Sequence, residues 1–390
     1  MIIKIIVFIL MLIMNLGGIL KLVIDLVRGG IKSIVHKPLH EFGTLIRKDL
    51  KIELLFLVGS VVTILITQIL ATTPDIQGEN SIAVLKKIKV NGRNEWISIR
   101  GEDKDAPVLL FLAGGPGGTQ MAEVRYDLAE LEKDFVVVNW DQPGSGKSYS
   151  CIRTKNISVD TYIKDGIAVT EYIMKMMKKD QIYLMGESWG SAFGIMLLKE
   201  KPQYYAGFIG TGQMVAFRET EEKDYDLALN YVKENGDTKT YNKLLKQGRP
   251  WYNKGNMAML SMTYLNVINH MMDENEEITN RGYTTLQSMF APEYGLKDSI
   301  CYLLGLSETF GQVYPQLKEV DLREGYTELE VPVYLFLGKH DLNAPTDLAK
   351  DYFQKLNCPK KEIVWFEHSG HNAKHNETQK FISEVKRVFL

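Results

Sequence analysis

A serine set between two glycines, Gly186-Glu187-Ser188-Trp189-Gly190, carries the most specific chemistry in this sequence. It follows a short apolar run, Ile182-Tyr183-Leu184-Met185, and precedes a stretch with Ala192, Ile195, Met196 and Leu197 along it. The expected local structure is strand, tight turn, helix, which is the context a nucleophile elbow needs. Glycines flank the serine because the turn is tight and the helix packs closely on its strand. The strained turn projects the hydroxyl, and the helix N-terminus favours developing negative charge.

A serine hydroxyl is a poor nucleophile without a base, and the base needs an orienting carboxylate. Both partners are expected after the last strands, acid first and histidine second. The run Val333–Gly338 leads into Lys339-His340-Asp341, which offers Asp341 at a strand end, with Asp347 as the alternative. The run Glu362–Glu367 leads into His368-Ser369-Gly370-His371, which offers His371, with His368 as the alternative. A tetrahedral intermediate also needs two backbone N–H donors. One is expected from Trp189, the other from the glycine-rich turn Ala113-Gly114-Gly115-Pro116-Gly117-Gly118.

Other chemistries fit less well. Gln142-Pro143-Gly144-Ser145-Gly146-Lys147-Ser148 ends like a phosphate-binding loop, but the full pattern requires glycine where the chain has Asp141. No nucleotide is therefore expected. The three cysteines, Cys151, Cys301 and Cys358, have no metal-site spacing and are too few for a disulfide scaffold. No metal and no cofactor are expected. A formal net charge of -2 gives no reason to expect a nucleic-acid partner.

The elements that must position these residues are legible as an alternation. Ser81–Val90 and Asn94–Arg100 read as a hairpin joined at Asn91-Gly92. Strand-like runs follow at Val108–Ala113, Phe135–Trp140, Ile182–Gly186, Phe208–Gly212, Val333–Gly338 and Glu362–Glu367, with helical stretches at Val159–Lys179 and Ser191–Glu200. Short buried strands alternating with helices imply an α/β fold with a mostly parallel sheet covered on both faces. The core is expected at 76–212 and 331–390. Residues 213–330, rich in Tyr, Met, Asn and Glu, read as a helical cap over the ligand-binding edge of the sheet.

The first 75 residues read as a membrane anchor. Ile5–Leu20 carries no charge and its apolar pattern continues to Val27, while Leu54–Leu70 is a second uncharged run. A bilayer core of about 30 Å needs roughly 20 helical residues, so transmembrane helices are expected near 5–27 and 52–70. The segment Arg28–Lys51 holds Arg28, Lys32, Lys37, Arg47, Lys48 and Lys51 against Glu41 and Asp49, which favours a cytoplasmic loop. Both termini and the catalytic domain are then expected outside the cell membrane, with the lipid bilayer itself as a partner.

Taken together, Gly114-Gly115-Pro116-Gly117-Gly118, Asp141 to Ser148, the serine pentapeptide, Gly338-Lys339-His340-Asp341 and His368-Ser369-Gly370-His371 resemble the prolyl aminopeptidase (proline iminopeptidase) group of α/β-hydrolases. The resemblance runs from Ile76 to the C-terminus. It implies a catalytic triad of Ser188, Asp341 and His371, with the N–H groups of Gly115 and Trp189 forming the oxyanion hole. It implies release of an N-terminal residue, often proline, from short peptides, with cap acids holding the free amino group. Among Glu219, Glu221, Glu222, Asp224 and Asp226, Glu219 is the expected anchor. Ala113 and Pro143 replace a His and an Arg usual in the group, which leaves the substrate open. The alternatives are an esterase or lipase acting on carboxylic esters, and a non-catalytic membrane interaction protein.

Overall fold

The computed structural model describes residues 1–34, 39–150, 156–252, 257–279 and 284–390. Lys37 and Cys151, named above, lie outside the described residues. The chain divides into two compact units, Met1–Thr72 with Met289–Ser299, and Thr73–Ser288 with Ile300–Leu390.

In the first unit, helix α1 (Ile2–Ile34) runs past the expected span at both ends, and α2 (Leu39–Ile69) begins before the expected second span and ends one residue short of it. Within them, Ile2–Arg28 and Thr44–Ile69 are each long and apolar enough to cross a membrane. Polar groups tie the two helices together. Asn15 Nδ2 donates to Ser60 Oγ at 2.8 Å, and Lys21 pairs with Asp25 at 2.8 Å and with Asp49. The segment Met289–Ser299 belongs to this unit through specific contacts. Lys4 Nζ donates to the carbonyls of Ala291 and Tyr294 at 2.8 Å each, and Gln68 Nε2 donates to Asp298 at 3.0 Å. The rings of Phe8 and Phe290 meet at 5.8 Å.

The second unit is built on one eight-stranded sheet. Its strands are β1 (Ile82–Val90), β2 (Arg93–Gly101), β3 (Val108–Leu112), β4 (Val136–Asp141), β5 (Ile182–Glu187), β6 (Tyr205–Thr211), β7 (Val333–Gly338) and β8 (Lys361–Phe366). Their order is β1-β2-β4-β3-β5-β6-β7-β8. The first two strands form the expected hairpin, with Asn91 and Gly92 at φ +43° and +82°, the left-handed geometry that Asn-Gly accepts at low cost. β2 joins β4 antiparallel, and the pairs from β4 through β3, β5, β6 and β7 to β8 are all parallel. The sheet is thus mostly parallel.

Each central strand is apolar on both faces, because helices cover both sides. Leu110, Leu112, Val138 and Leu184 face one apolar cluster with Phe193 and Phe208. Leu109, Phe111, Val137 and Met185 face the other with Phe381 and Val385. The covering helices include α3 (Met121–Asp127), α4 (Val159–Met177) and α5 (Trp189–Glu200). A capping box between Ser158 and Thr161 starts α4, and Lys178 in the left-handed region ends it.

Between β6 and β7 the chain forms α6 (Phe217–Glu234), α7 (Thr238–Gln247), α8 (Met257–Asp273), α9 (Thr285–Met289), α10 (Leu296–Leu304), a π turn at Gly305–Thr309 and α11 (Phe310–Val313). After β7 come α12 (Thr346–Lys355), α13 (Ala373–Asn376) and α14 (Thr378–Phe389).

Candidate active site

Ser188 sits between the last residue of β5 and the first of α5, at φ +55°. A non-glycine residue in that region is strained and is held there by its surroundings. The flanking glycines show what holds it. A Cβ on Gly186 would lie 2.1 Å from the carbonyl oxygen of Gly190, and one on Gly190 would lie 2.1 Å from that of Leu112. Any side chain at either position would push α5 off β5 and β3.

Asp341 follows β7 and His371 follows β8, each at the carboxyl end of its strand. His371 Nδ1 lies 2.9 Å from Asp341 Oδ2 and 3.0 Å from Oδ1, which leaves Nε2 as the nitrogen free of the carboxylate. Asp341 is itself fixed, because its Oδ1 accepts from the backbone N–H groups of Asn343 and Ala344 at 2.9 Å each. Burial disfavours the imidazolium, but the charge and hydrogen bond of Asp341, with Glu187 adding to them, outweigh it. The pKa of His371 therefore lies above the usual histidine value.

The alternative residues are engaged elsewhere. His368 Nδ1 faces the carbonyl of Glu277 at 3.2 Å, and Asp347 pairs with Lys223 at 2.6 Å.

The glycine-rich turn after β3 folds back beside Ser188. Gly115 stands at φ +133°, where a Cβ would lie 2.6 Å from the amide of Gly118. Two glutamines hold this turn. Gln120 Oε1 accepts from the N–H of Gly114 at 2.8 Å. Gln142 donates to the carbonyl of Ala113 at 3.0 Å and accepts from the Trp189 indole at 3.3 Å. Gln142 therefore ties the turn to the residue after the serine, a role that sequence reading missed. The stretch resembling a phosphate loop is a turn closed on Asp141, whose carboxylate accepts from Lys147 N–H at 2.8 Å and from Thr119.

One cavity of about 110 Å³ gathers these groups. It is lined by Gly115, Ser188, Trp189, Asn343 and His371 from the sheet side, with Glu221, Asp224, Phe310 and Tyr314 among the residues on the cap side. Glu219 is not among its lining residues. Its carboxylate pairs with Arg323 at 2.6 Å on an open surface groove.

The cavity's acids are Glu221 and Asp224, both buried. Glu221 accepts from Tyr314 at 2.6 Å, from Ser261 at 3.3 Å and from Tyr264. Burial raises its pKa to about 7 against those hydrogen bonds. Asp224 Oδ2 has no hydrogen-bond donor among the described residues. Burial, then the charges of Glu221 and Asp341, push the Asp224 pKa well above the usual aspartate value. The helical phase of α6 offered a signal. Phe217, Tyr225, Ala228 and Val232 mark its buried face, and Glu221 and Asp224 stand four and seven residues after Phe217 on that same stripe.

The sheet-side groups have the makeup that acyl transfer requires: a hydroxyl on a strained turn, an imidazole oriented by a fixed carboxylate, and backbone amides beside both. Residues 107–378 match the α/β-hydrolase fold family, and the chain belongs to that family. Among curated proteins it is 30% identical over 327 residues to a probable aminopeptidase, YbaC, of Bacillus subtilis (strain 168), covering 80% of this chain and 98% of that one. It is 24% identical over 294 residues to a proline iminopeptidase of Clostridioides difficile (strain 630), covering 75% of this chain and 92% of the relative. Among solved structures, the proline iminopeptidase of Mycobacterium smegmatis shares the fold at a TM-score of 0.55 and 16% identity, over 78% of this chain and 97% of that one.

Proposed function

We propose that this chain is a membrane-anchored serine hydrolase that releases N-terminal residues from short peptides. The observation that carries the reading is the buried acid pair, Glu221 and Asp224, in the same cavity as Ser188 and His371. A buried carboxylate oxygen without a donor is costly, and a substrate ammonium group supplies the missing partner. The names of the relatives agree with this choice of substrate. The anchor assigned to Glu219 by sequence reading passes to Asp224, with Glu221 beside it.

In this mechanism the substrate's ammonium group seats against Asp224 and Glu221, which places the first peptide carbonyl over Ser188. His371 takes the serine proton at Nε2 as Oγ attacks, and Asp341 stabilises the imidazolium. The N–H groups of Gly115 and Trp189 receive the oxyanion. His371 then protonates the leaving amine, and water hydrolyses the acyl-enzyme by the same route in reverse roles. α1 and α2 span the bilayer, with the basic stretch between them on the cytoplasmic side and the catalytic unit outside.

A release assay tests the substrate reading. Amide reporters of proline, alanine and leucine with free amino groups should be cleaved, and their N-acetylated forms should be cleaved at least about tenfold more slowly. Equal rates on free and blocked reporters, with faster turnover of carboxylic esters, would replace the aminopeptidase by an esterase. For topology, protease added to intact cells should digest the catalytic unit. Protection until lysis would reverse the orientation.

A further inference from the structure

Behind the catalytic loops lies a second ionic cluster that the mechanism above does not use. Lys374, three residues after His371 on α13, is completely buried. Its ammonium group lies 2.6 Å from Glu123 Oε1, 2.8 Å from Glu187 Oε2 and 2.7 Å from Asn372 Oδ1. Each of these neighbours belongs to a different part of the site. Glu187 immediately precedes Ser188, and Asn372 immediately follows His371. Glu123 opens α3, just beyond the glycine-rich turn.

The links continue past the lysine. Asn372 Nδ2 donates to Glu123 Oε1 at 2.9 Å. Gln120 Nε2 donates to Glu187 Oε1 at 2.5 Å, while Gln120 Oε1 holds the Gly114 amide. One connected network thus joins the oxyanion turn, the serine elbow and the histidine loop, with a single cation at its centre.

We propose that Lys374 is a positioning residue for catalysis: by pairing with Glu187 and Glu123 it fixes the three catalytic loops relative to one another and balances the charge beside His371. Two carboxylates around one ammonium group, Glu187 buried and Glu123 partly so, keep the lysine charged, since together they outweigh the burial that opposes it. The charged groups bearing on His371 are then Asp341 at its Nδ1, Glu187 and Lys374 behind it, and Asp224 and Glu221 across the cavity. Glu187 favours the imidazolium and Lys374 disfavours it. Removing either should therefore move His371 in opposite directions, which loss of packing alone would not do.

The proposal rests on His371 and Ser188 acting as catalytic groups, so the test includes a readout that needs no turnover. In the full chain, the His371 ring is titrated by 15N NMR in wild type, Lys374→Met and Glu187→Gln, and acetate-ester hydrolysis is followed as a function of pH. Lys374→Met should raise the His371 pKa, and Glu187→Gln should lower it, each by about 0.5 unit or more. The acid limb of kcat/KM should follow in the same directions, and kcat should fall about 10- to 100-fold in Lys374→Met with KM little changed. The double variant should return His371 toward its wild-type value. His371 titrating as in wild type in both single variants overturns the proposal, as does a rate loss that follows thermal stability alone. Should Lys374→Met fail to fold, Glu187→Gln decides, because it leaves one carboxylate for one ammonium group: a downward shift supports the proposal, and no shift overturns it. An absence of ester turnover in wild type, with the His371 shifts intact, would count against the serine mechanism and leave the network standing.

Discussion

On the sheet side of the cavity the carboxylate is satisfied by the fold itself: Asp341 accepts from two backbone amides and faces the His371 ring. On the cap side, Asp224 keeps an oxygen without a donor among the described residues, and Glu221 titrates near neutrality. The first wall is finished without a ligand, and in the function proposed above the second is completed by one. Machinery common to many acyl transfers can be rigid, whereas recognition of a particular substrate leaves a vacancy in the protein's own bonding.

The largest expected effect breaks the sheet-side wall. Ser188→Ala should lower turnover by about 10⁴-fold or more on every substrate, since a triad acts as a unit. Labelling of the full chain by a fluorophosphonate probe should vanish with it, and undiminished labelling would assign the nucleophile elsewhere.

Next comes the cap side. Asp224→Asn keeps the shape and removes the charge, so cleavage of free-amine reporters should fall about 10- to 1000-fold, or roughly 1.4 to 4 kcal/mol. Simple acetate esters should hold their rate. A common loss on both would mean that Asp224 supports the fold or the chemistry in general.

A smaller effect sharpens the comparison through pH. Glu221 must ionise to attract an ammonium group, so KM for free-amine reporters should fall as pH rises through about 7. It should rise again above about 8, where the substrate's own amine loses its proton. Stability should run the other way. A carboxyl whose folded pKa is raised binds more protons folded than unfolded between the ordinary value of 4.5 and about 7. The midpoint of thermal unfolding should then drop across that window, and Glu221→Gln should flatten both curves. An unchanged KM profile in that variant would remove Glu221 from substrate binding.

The smallest effect belongs to Glu219. Its side chain is 41% exposed and its carboxylate is paired with Arg323. Glu219→Gln should change any rate by less than about twofold, as an exposed pair contributes little. A selective loss on free-amine reporters would return the anchor to the position first expected from sequence.

The two walls also differ in how far they could be read beforehand. Ser188, Asp341, His371 and the turn at Gly115 are tied to strand ends, and strand ends are legible from short apolar runs followed by glycine. That the sheet is mostly parallel follows from the same runs, whereas the place of β4 between β2 and β3 does not. The cap offers no such register. Five acids crowd the start of α6, and charge alone favours none of them. What separates Glu219 from Asp224 is helical phase: Phe217, Tyr225 and Ala228 define an inner stripe that includes Glu221 and Asp224. Gln120, Gln142 and Lys374 were illegible for another reason. Each acts through a partner distant in sequence, such as Glu123 for Lys374, 251 residues away.

The first unit has a consequence for how the protein is made. Lys4 and Ala291, joined by a hydrogen bond, are separated by 287 residues. At about 5 to 20 residues per second, the ribosome needs roughly 15 to 60 s to travel that distance. Once Ile69 has been made, α1 and α2 exist without Met289–Ser299 for the rest of that interval, and the hydrogen bonds from Lys4 to Ala291 and Tyr294 are not yet formed. The helix pair is therefore an early, unfinished assembly that waits for a late piece of chain, and the acid-bearing helix α6 is synthesised before that piece arrives. Nascent chains halted before residue 289 should retain the helix pair in a looser state, and chains extended beyond residue 299 should close it.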